Sequence, residues 1–424
     1  MSEALVNPDR KITVDIQDAL TSRIDFYKPN MSQLAYEQHG DAQVTFTFKD
    51  RGNIPLAEYV NRDEIAERFD QIITEGFDAS EVDYLRTIPN PNKKDEQLYS
   101  EKYLGYLAAS KLPEVQVERR DNTLNIHSTG EWPLVTYAET AVMGEVTEMY
   151  FYNYLKAKNI DVTEVWAEGD RRLSEKIAML KAHPEIKLME FGTRRHFSVA
   201  WHQHVLERLL TECPENILGT SNLFMADYYG IKPMGTSAHE MDMGYGGLAG
   251  DDDELLARMH GTMLDDWYAR YGARLTTALT DTYGAKFFFD DLGEERAQKI
   301  MSYRQDSGDP FEFGQYALDR LKQLNVDPRE KTFIFSDGLD IPTCIKLYER
   351  YGHQANVVFG VGTDLTNDLG LKALNIVMKL TAINGRPTVK LSDFETKATG
   401  PEDEIERYRR VFGYVPLSQA VLLG

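Results

Sequence analysis

The chain has 424 residues, of which 42% are hydrophobic, and this length predicts about two to three domains with a large buried core. Its 68 acidic and 47 basic residues give a formal net charge of −21. This charge argues against nucleic acid and anionic membranes as main partners, because such binding relies on clustered Lys and Arg. The first residues, MSEALVNPDRK, lack the apolar core of a signal peptide, and no run approaches the roughly 18 apolar residues of a membrane span. The two cysteines, Cys213 and Cys344, form no paired motif, so we predict a protein of the reducing cytoplasm.

The first part of the chain has the pattern of antiparallel strands. Apolar and polar residues alternate in QVTFTFK, residues 43–49, which predicts a strand with one buried face. Residues 115–127, VQVERRDNTLNIH, predict a hairpin, and apolar residues recur at helical spacing over residues 139–158. We therefore predict an α+β domain over residues 1–150, followed by a helical connection over residues 151–184.

From about residue 187 the pattern changes to buried strand runs separated by amphipathic helical segments. Strand, loop and helix repeated about six to eight times over some two hundred residues is typical of an α/β barrel. The last strand candidates are residues 376–380 and 388–391. We predict a barrel over residues 185–390 and expect the tail, residues 391–424, to pack back on the first domain.

The strand runs of this second region share one feature, because each ends in a loop of glycines, hydroxyls and charges. The runs are KLMEFGTRR (187–195), NILGTSN (216–222), IKPMGTSAHE (231–240), IMSYRQDSGDP (300–310), TFIFSDGLD (332–340) and VVFGVGTDL (357–365). In parallel α/β folds, the loops that follow the strands build the active site. The pattern therefore predicts chemistry on small, phosphorylated molecules.

Two of these loops carry glycines or paired charges. Gly360, Gly362 and Thr363 offer open backbone N–H groups and a hydroxyl, which suit a phosphate monoester, although glycines also serve tight turns. Arg304 and Asp306 are two residues apart at a strand end, so both side chains can face the same side. The arginine suits a carboxylate or phosphate, and the aspartate suits ribose hydroxyls or a metal, unless the two charges merely neutralise each other.

A histidine and an aspartate extend this set of strand-end groups. In SDGLD, Asp337 next to a glycine again combines an acidic group with open backbone. His239 follows a Gly-Thr-Ser turn, where it could serve as a general base, a metal ligand or a nucleophile for phosphoryl groups. Metal binding is disfavoured, because no second ligand stands at a useful spacing. His196, His202 and His204 do not stack on one helix face and are predicted to be structural.

Taken together, these segments resemble the nicotinate phosphoribosyltransferase family, and the likeness covers nearly the whole chain. The motifs that carry it, in the family's order, are DFYKPNM (25–31), VTFTFK, EFGTRR, GTSN, GTSAHE, TDTYG (280–284), YRQDSGDP, FSDGLD and FGVGT. The resemblance implies an irregular α/β barrel of the type II phosphoribosyltransferase kind, joined to an amino-terminal α+β domain. It also implies a homodimer with shared active sites, of the short, bacterial type.

The resemblance further implies an activity and its cofactors. The family makes nicotinate mononucleotide and pyrophosphate from nicotinate and phosphoribosyl pyrophosphate, the first step of NAD salvage from nicotinate. ATP hydrolysis is coupled through a phosphorylated histidine, and Mg²⁺ assists. The match places the phosphohistidine at His239, and the carboxylate that orients it at Asp281.

The family's substrate-binding residues can be carried over by position. For nicotinate, Tyr27 of the neighbouring subunit and Phe191 correspond to the rings that sandwich the pyridine. Arg304 and Thr236 correspond to positions that hold its carboxylate, and Ser221 stands where nicotinamide-using relatives carry an aspartate. For phosphoribosyl pyrophosphate, the corresponding residues are Arg194 at the pyrophosphate, Asp306 at the ribose, and Asp337, Gly360, Gly362 and Thr363 at the ribose phosphate.

Other functions remain open from the sequence. The nearest alternative is a phosphoribosyltransferase for nicotinamide or quinolinate, although Ser221 with Arg304 favours a monocarboxylate. A more distant alternative is a catalytically silent barrel that binds nucleotides as a sensor or partner. A phosphate-binding aldolase barrel fits worse, because no lysine stands at a strand end in suitable company.

Overall fold

The structure is a computed structural model that describes residues 19–235 and 237–423. Its strands are β1 (Gln43–Asp50), β2 (Val115–Arg120), β3 (Thr123–Glu131), β4 (Leu188–Glu190), β5 (Ile217–Thr220), β6 (Thr277–Leu279), β7 (Ser302–Gln305), β8 (Thr332–Phe335), β9 (Asn356–Val361), β10 (Ile376–Ile383) and β11 (Arg386–Pro387). Its α-helices are α1 (Tyr27–His39), α2 (Leu56–Tyr59), α3 (Arg62–Phe69), α4 (Ala79–Thr87), α5 (Glu101–Ala109), α6 (Trp132–Val135), α7 (Ala138–Lys158), α8 (Val162–Ala182), α9 (Val199–Glu212), α10 (Leu223–Tyr229), α11 (His239–Leu248), α12 (Asp253–Tyr271), α13 (Ala285–Lys299), α14 (Pro310–Gln323), α15 (Ile341–Tyr351), α16 (Thr363–Thr366), α17 (Glu402–Val411) and α18 (Leu417–Leu423). Within the described ranges, none of these helices has both the length and the hydropathy needed to cross a membrane.

The first sheet is antiparallel and has five strands in the order β11-β10-β1-β3-β2. The alternation in QVTFTFK gives β1, whose Val44, Phe46 and Phe48 side chains are buried. The predicted hairpin is confirmed as β2 and β3, which turn at Asp121 with φ of 52°, a left-handed conformation that Asp tolerates. The helix predicted over residues 139–158 is α7, which packs on β1 and β10.

The second sheet is parallel and has six strands in the order β5-β4-β9-β8-β7-β6. Helices α13, α14 and α15 connect its successive strands from β6 to β9, as the alternating pattern predicts. Because neighbouring strands run in the same direction, their carboxyl ends lie along one edge of the sheet. The prediction of an α/β fold with a separate amino-terminal domain is therefore confirmed.

The parallel sheet is open between β5 and β6, because no hydrogen-bonded ladder joins these strands within the described residues. The run predicted as a strand near residues 231–235 makes only an isolated bridge to β5, between Thr220 and Pro233. Pro233 has no N–H group to donate to a ladder, and Gly235 has φ of 156°. A regular strand is therefore interrupted at the place where a barrel would close.

Two stretches lie in different places from those predicted. Residues 376–380, expected among the barrel strands, belong to β10 of the antiparallel sheet, where the strand pairs with β1. The tail, expected on the first domain, instead places α17 against α12, and α18 against α13 and α14. The reason is apolar packing: Tyr408 and Phe412 of α17 join a cluster with Tyr283, whose ring centroid lies 4.2 Å from that of Phe412.

Candidate active site

A cavity of about 700 Å³ lies where the carboxyl ends of the parallel strands face the antiparallel sheet. Phe46 of β1 and Lys379 of β10 line it from the side of the antiparallel sheet. Asp281 and Ser221 are buried away from the cavity wall, and Thr236 lies outside the described residues. The predicted site residues that do line the cavity are Tyr27, Phe191, Arg194, His239, Arg304, Asp306, Asp337, Gly360, Gly362 and Thr363.

His239 is the first residue of α11, and the next residue anchors that helix. The buried Glu240 carboxylate accepts hydrogen bonds from Trp132 Nε1 at 2.7 Å, Lys28 Nζ at 2.7 Å and Thr136 Oγ1 at 2.9 Å. Breaking a buried charge pair of this kind typically costs about 3–5 kcal/mol, since the remaining charge is left without compensation. The amino-terminal domain therefore fixes the position of His239 in the cavity.

Both ring nitrogens of His239 have polar neighbours. Nδ1 lies 2.9 Å from Thr282 Oγ1, whereas Nε2 lies 3.0 Å from Asp306 Oδ2 and 2.9 Å from Lys390 Nζ. Burial lowers the pKa of His239 and the Lys390 ammonium lowers it further, against the opposing effects of Asp281 and Asp306. The imidazole is therefore neutral at neutral pH, so a ring nitrogen can act as a nucleophile or a base.

Asp281 contacts the histidine less directly than the sequence predicts. Its Oδ2 accepts hydrogen bonds from Lys390 Nζ at 2.9 Å and Ser307 Oγ at 2.6 Å, and its Oδ1 lies 3.7 Å from His239 Nε2. A separation of 3.7 Å is beyond a hydrogen bond. The ring presents Nε2 to Asp281 and Nδ1 to Thr282, so Asp281 holds Lys390 against the ring, and Thr282 is the residue bonded to Nδ1.

Arg304 and Asp306 face the same side of β7 and its following loop, as their spacing predicts. Arg304 donates from Nη2 to Asp306 Oδ1 at 2.9 Å and from Nε to Ser336 Oγ at 2.8 Å. Within the described residues, Nη1 of Arg304 has no protein hydrogen-bond partner and can receive an anion. Burial alone would raise the pKa of Asp306, but Arg304, His239 and Lys390 hold it well below its ordinary range. Asp306 is therefore ionised.

Two aromatic rings lie at the same cavity. The Arg304 guanidinium lies 5.7 Å from the centroid of the Phe191 ring, and the Arg194 guanidinium lies 5.8 Å from the centroid of the Tyr27 ring. Tyr27 lines the cavity of its own chain, and its reach into the site of a neighbouring subunit stays a prediction. The position of Tyr27 has a local cause: the backbone N–H of Phe26 bonds to the carbonyl of Ser221 at 2.6 Å, which ties this segment to the loop after β5.

Ser221 differs from its predicted place at the nicotinate carboxylate. It is buried behind the wall and donates to Asp25 Oδ1 at 2.6 Å. Asp25 Oδ2 lies 3.5 Å from Arg194 Nε, and burial raises the pKa of Asp25 while Arg194 lowers it. Ser221 therefore acts on the cavity through Asp25 and Arg194, a pairing that the sequence pattern does not reveal.

The glycines in and directly after β9 allow the segment after β4 to approach closely. A Cβ atom on Gly360 would lie 2.7 Å from Cδ2 of Phe191, and one on Gly362 would lie 2.7 Å from the carbonyl oxygen of Phe191. Only glycine therefore leaves room for the Phe191 ring and its backbone at this edge. Thr363 begins the short helix α16, and Asp337 accepts a bond from Lys397 Nζ at 2.9 Å.

Five cations of the cavity wall were not among the predicted site residues, although two of them, Lys379 and Lys390, interrupt apolar runs. Burial, Lys390 and Arg51 together lower the pKa of Lys379 to about 7. Burial and Arg194 lower the pKa of Arg195 to about 10. These side chains bring basic groups to a cavity wall that also contains carboxylates, in a chain whose net charge is −21. The five residues are Arg51, Arg195, Lys379, Lys390 and Lys397.

The remaining histidine cluster is structural, as predicted. His202 pairs with Glu190 at 2.8 Å and His204 with Asp170 at 2.6 Å, and His196 is buried beside His202. In residues 19–235 and 237–423 no group of three or more His, Cys, Asp and Glu side chains has the arrangement needed to hold a metal ion.

Comparison with known families identifies both halves of the chain. Residues 23–147 match the nicotinate phosphoribosyltransferase (NAPRTase) N-terminal domain, and residues 186–415 match the nicotinate phosphoribosyltransferase (NAPRTase) family. The chain is 35% identical over 405 residues to the nicotinate phosphoribosyltransferase of Xanthomonas campestris, covering 93% of this chain and 96% of that protein.

Solved structures have the same fold. The nicotinate phosphoribosyltransferase of Porphyromonas gingivalis superposes with a TM-score of 0.81 at 28% identity, covering 93% of this chain and 99% of that one. The Vibrio cholerae enzyme gives a TM-score of 0.83 at 27% identity, covering 100% of this chain and 98% of that one. The chain belongs to the nicotinate phosphoribosyltransferase family.

Proposed function

We propose that the cavity makes nicotinate mononucleotide and pyrophosphate from nicotinate and phosphoribosyl pyrophosphate, the reaction of the family, with ATP hydrolysis coupled through phosphorylated His239. The proposal rests mainly on one observation: the Asp306 carboxylate contacts both His239, at 3.0 Å, and Arg304, at 2.9 Å. A phosphoryl acceptor and an anion-binding guanidinium therefore share one cavity of about 700 Å³. This volume lies in the usual range for small-molecule sites.

Nicotinate is proposed to bind between Phe191 and Tyr27, with its carboxylate on Arg304. Nη1 of Arg304 is open among the described residues, and a charge-assisted hydrogen bond contributes about 1.5–3 kcal/mol. Such a bond favours the acid over the amide by roughly one to two decades. The pyridinium that forms on reaction is a cation between aromatic faces, worth roughly 1–2 kcal/mol when desolvated. For Thr236 and Ser221, we propose a supporting role in nicotinate binding from the family resemblance alone.

The anionic substrates are proposed to bind to basic side chains and glycines of the cavity. We assign the pyrophosphate to Arg194, with Arg195 beside it, and the ribose hydroxyls to Asp306. The ribose phosphate is assigned to the backbone of Gly360 and Gly362, with Thr363 and Asp337 adjacent. Support comes from the glycines and the basic side chains that line the same cavity.

The displacement needs no general base, because the pyridine nitrogen is already an unprotonated nucleophile at neutral pH. The bond from this nitrogen to the anomeric carbon forms as the bond to the pyrophosphate oxygen breaks, and pyrophosphate leaves with that electron pair. We propose an oxocarbenium-like transition state with inversion at the anomeric carbon. Arg194 and Arg195 would stabilise the departing charge.

Mg²⁺ is proposed to enter with the phosphates of the substrates. The carboxylates of Asp306 and Asp337 line the cavity, and no cluster of three ligands exists among the described residues. Such a donor set fits a cation held by one or two carboxylates together with phosphate oxygens and water. When bound, Mg²⁺ would supply neutralisation of the charge on the leaving pyrophosphate.

His239 is proposed to accept the γ-phosphoryl group of ATP at Nε2, the nitrogen beside the cavity residues Asp306 and Lys390. The bond from Nε2 to phosphorus would form as the bond to the bridging oxygen breaks, releasing ADP. Water would later cleave the phosphohistidine, releasing phosphate and regenerating the imidazole. Lys390 would then pair with the phosphoryl oxygens instead of the ring nitrogen.

Three wider assignments belong to the same proposal. We propose a cytoplasmic homodimer, in line with the family resemblance. We also propose a domain division at residues 1–150, 151–184 and 185–390, amended so that β10 belongs to the first domain and the tail, from residue 391, to the second. Light scattering of the purified chain would test the oligomeric state.

The experiment that tests the coupling is the change His239→Ala, assayed for product formed per ATP consumed. We expect nicotinate mononucleotide to form without stimulation by ATP, and ATP consumption to fall to background. The control is His127→Ala, which alters a histidine of β3 that does not line the cavity. ATP-driven stimulation that persists in the His239 variant would refute the assignment.

A phosphoribosyltransferase for another base is the second candidate, favoured by the buried Asp25 carboxylate that accepts from Ser221 at 2.6 Å. An anionic group behind the nicotinate site would favour a neutral amide over an acid. Competition among nicotinate, nicotinamide and quinolinate separates these functions, and we expect nicotinate to win. Absence of pyrophosphate release with all three bases would instead indicate a silent nucleotide-binding protein.

A further inference from the structure

We propose that Asp242, acting through Thr282, is a positioning residue that keeps the proton of the neutral His239 imidazole on Nδ1 and leaves the Nε2 lone pair facing the cavity. This inference deepens the phosphohistidine role proposed above and rests on it for its purpose. Neither Asp242 nor Thr282 lines the cavity, and neither was singled out by sequence pattern.

The geometry is a short relay of hydrogen bonds. Thr282 Oγ1 lies 2.9 Å from His239 Nδ1 and 2.9 Å from Asp242 Oδ2. A hydroxyl has one proton, and an ionised carboxylate can only accept, so the Thr282 proton is directed to Asp242. The Thr282 oxygen must then accept from Nδ1, which fixes the proton there and excludes it from Nε2.

The other side of the ring faces one donor and one acceptor, so it does not fix the tautomer by itself. Lys390 Nζ lies 2.9 Å from His239 Nε2 and 2.9 Å from Asp281 Oδ2. An ammonium can only donate, so its approach to Nε2 requires a lone pair on that nitrogen. The ionised Asp306 Oδ2, 3.0 Å from Nε2, would instead accept a proton from that nitrogen, so the Thr282 contact at Nδ1 decides the tautomer.

Two elements hold the relay in place. His239 and Asp242 are three residues apart in α11 and so share one face of the helix. The hydroxyl of Tyr283 donates to the backbone carbonyl of Asp242 at 2.7 Å, which ties the helix to the loop that carries Thr282. Asp242, Thr282 and Tyr283 are all buried, so water does not compete for these bonds.

The charged groups around Asp242 determine when it can accept. Burial raises the pKa of Asp242 to about 6, against the opposing effects of His260 and Thr282, while Asp281 raises it and Lys390 lowers it. His260 Nε2 lies 3.9 Å from Asp242 Oδ1, and His260 Nδ1 lies 3.0 Å from Asp291 Oδ2. Above this pKa the carboxylate is ionised and the relay runs in the stated direction. Below it, a protonated Asp242 can donate to Thr282, and the tautomer is no longer fixed.

The test is 15N NMR of histidine-labelled protein at pH 7.5, with the His239 signals assigned by comparison with the His239→Ala variant. We expect the proton on Nδ1 in the unaltered protein, a shift of population towards Nε2–H in Thr282→Val and Asp242→Asn, and restoration of Nδ1–H in Thr282→Ser. Asp266→Asn, which removes a carboxylate bonded to Tyr245 on the neighbouring helix, is the control and should leave the tautomer unchanged.

The rate of His239 phosphorylation by ATP is the second measurement. We expect Thr282→Val to slow it at least tenfold, Thr282→Ser to restore it, and ATP-independent product formation to persist in both. A proton on Nε2 in the unaltered protein, or an unchanged tautomer in Thr282→Val, would overturn the proposal. A proton on Nδ1 without any phosphohistidine would support the relay and refute the ATP coupling, so the two failures are distinguishable.

Discussion

At the scale of single residues, Lys390 links two parts of the site, the His239 ring and the Asp281 carboxylate. Its ammonium contacts both Asp281 and His239 at 2.9 Å, and it lowers the pKa of the histidine. In the sequence, Lys390 is one lysine at the end of a predicted strand, next to apolar neighbours, and nothing in that pattern distinguishes it from a solvated residue. Its role depends on how the segment after β11 packs against the loop after β6, which carries Asp281. Local sequence pattern does not determine this packing.

The change Arg304→Lys tests the carboxylate site. A lysine lacks the planar fork that bonds Ser336 and Asp306 while leaving Nη1 open, so we expect the KM for nicotinate to rise roughly 10- to 100-fold. Steady-state kinetics with nicotinate as the varied substrate measures this change. Arg296→Lys, at a surface pair with Asp265, is the matched control. An unchanged KM for nicotinate in the Arg304 variant would contradict the assignment.

The lowered pKa of Lys379 predicts a pH dependence. Because the pKa of this lysine is about 7, its positive charge is present below that pH and is lost as the pH rises through it. Binding of an anion favours the charged form, so the KM for phosphoribosyl pyrophosphate should rise as the pH increases from about 6 to 8.

The variant Lys379→Met, which cannot carry this charge, is compared with the unaltered enzyme over the same pH range. Its KM for phosphoribosyl pyrophosphate should be higher at pH 6 and should change less across the same range. Lys322, an exposed lysine of α14, provides a control as Lys322→Met. An identical pH profile in the Lys379 variant and the unaltered enzyme would show that another group titrates.

At the scale of elements, the contact between β9 and the loop after β4 shapes the base-binding side of the cavity. A Cβ atom on Gly360 would lie 2.7 Å and 2.8 Å from two carbons of the Phe191 ring. We expect Gly360→Ala to displace that ring, to raise the KM for nicotinate and to lower the free energy of unfolding by about 1–3 kcal/mol. Kinetics together with denaturant unfolding measure both effects.

Gly105→Ala is the matched control for that change. Gly105 lies inside α5, and nothing stands within 4 Å of a Cβ atom built there. We expect this variant to keep its KM for nicotinate and to be as stable as the parent or slightly more stable, since alanine favours helix over glycine. Equal KM values for nicotinate in both glycine variants would contradict the proposed placement of the base against Phe191.

Elements with a strong local pattern were predictable, and those decided by distant contacts were not. The alternation of Val44, Phe46 and Phe48 specifies β1, and the repeated strand and helix runs specify the parallel sheet. The pairing of β10 with β1 joins segments more than three hundred residues apart, which periodicity does not report. Pro233 was visible in the sequence, and its missing donor is a reason to expect an interrupted strand there.

At the scale of the whole molecule, the cavity is built from both sheets of a single chain. Tyr27 lines the cavity that also contains Phe191 and His239, so one chain supplies both predicted aromatic rings. We therefore predict that mixing the variants Tyr27→Ala and His239→Ala, the second of which lacks ATP stimulation, restores no ATP-stimulated activity. Activity regained on mixing would show that the ring is donated across a dimer interface. Co-expression of the two variants, with light scattering to establish mixed assemblies, is the measurement.

The family motifs, spread from residue 25 to residue 363, contain ten predicted site residues that line one cavity, because a parallel sheet gathers its strand ends at one edge. They were not enough to place every group. Asp281 and Ser221 lie one layer behind the cavity, where each acts through a neighbour, Lys390 and Asp25 respectively. The sequence shows which loop carries a residue. Whether its side chain lines the cavity or lies behind the wall depends on side-chain packing.

The most direct test of the central claim is the initial rate of pyrophosphate release from phosphoribosyl pyrophosphate, measured with nicotinate, nicotinamide or quinolinate, each with and without ATP. The account predicts release that depends on nicotinate, increases with ATP and falls sharply in Arg304→Lys. Release that is equal with nicotinamide, or that is unaffected by the Arg304 change, would contradict it.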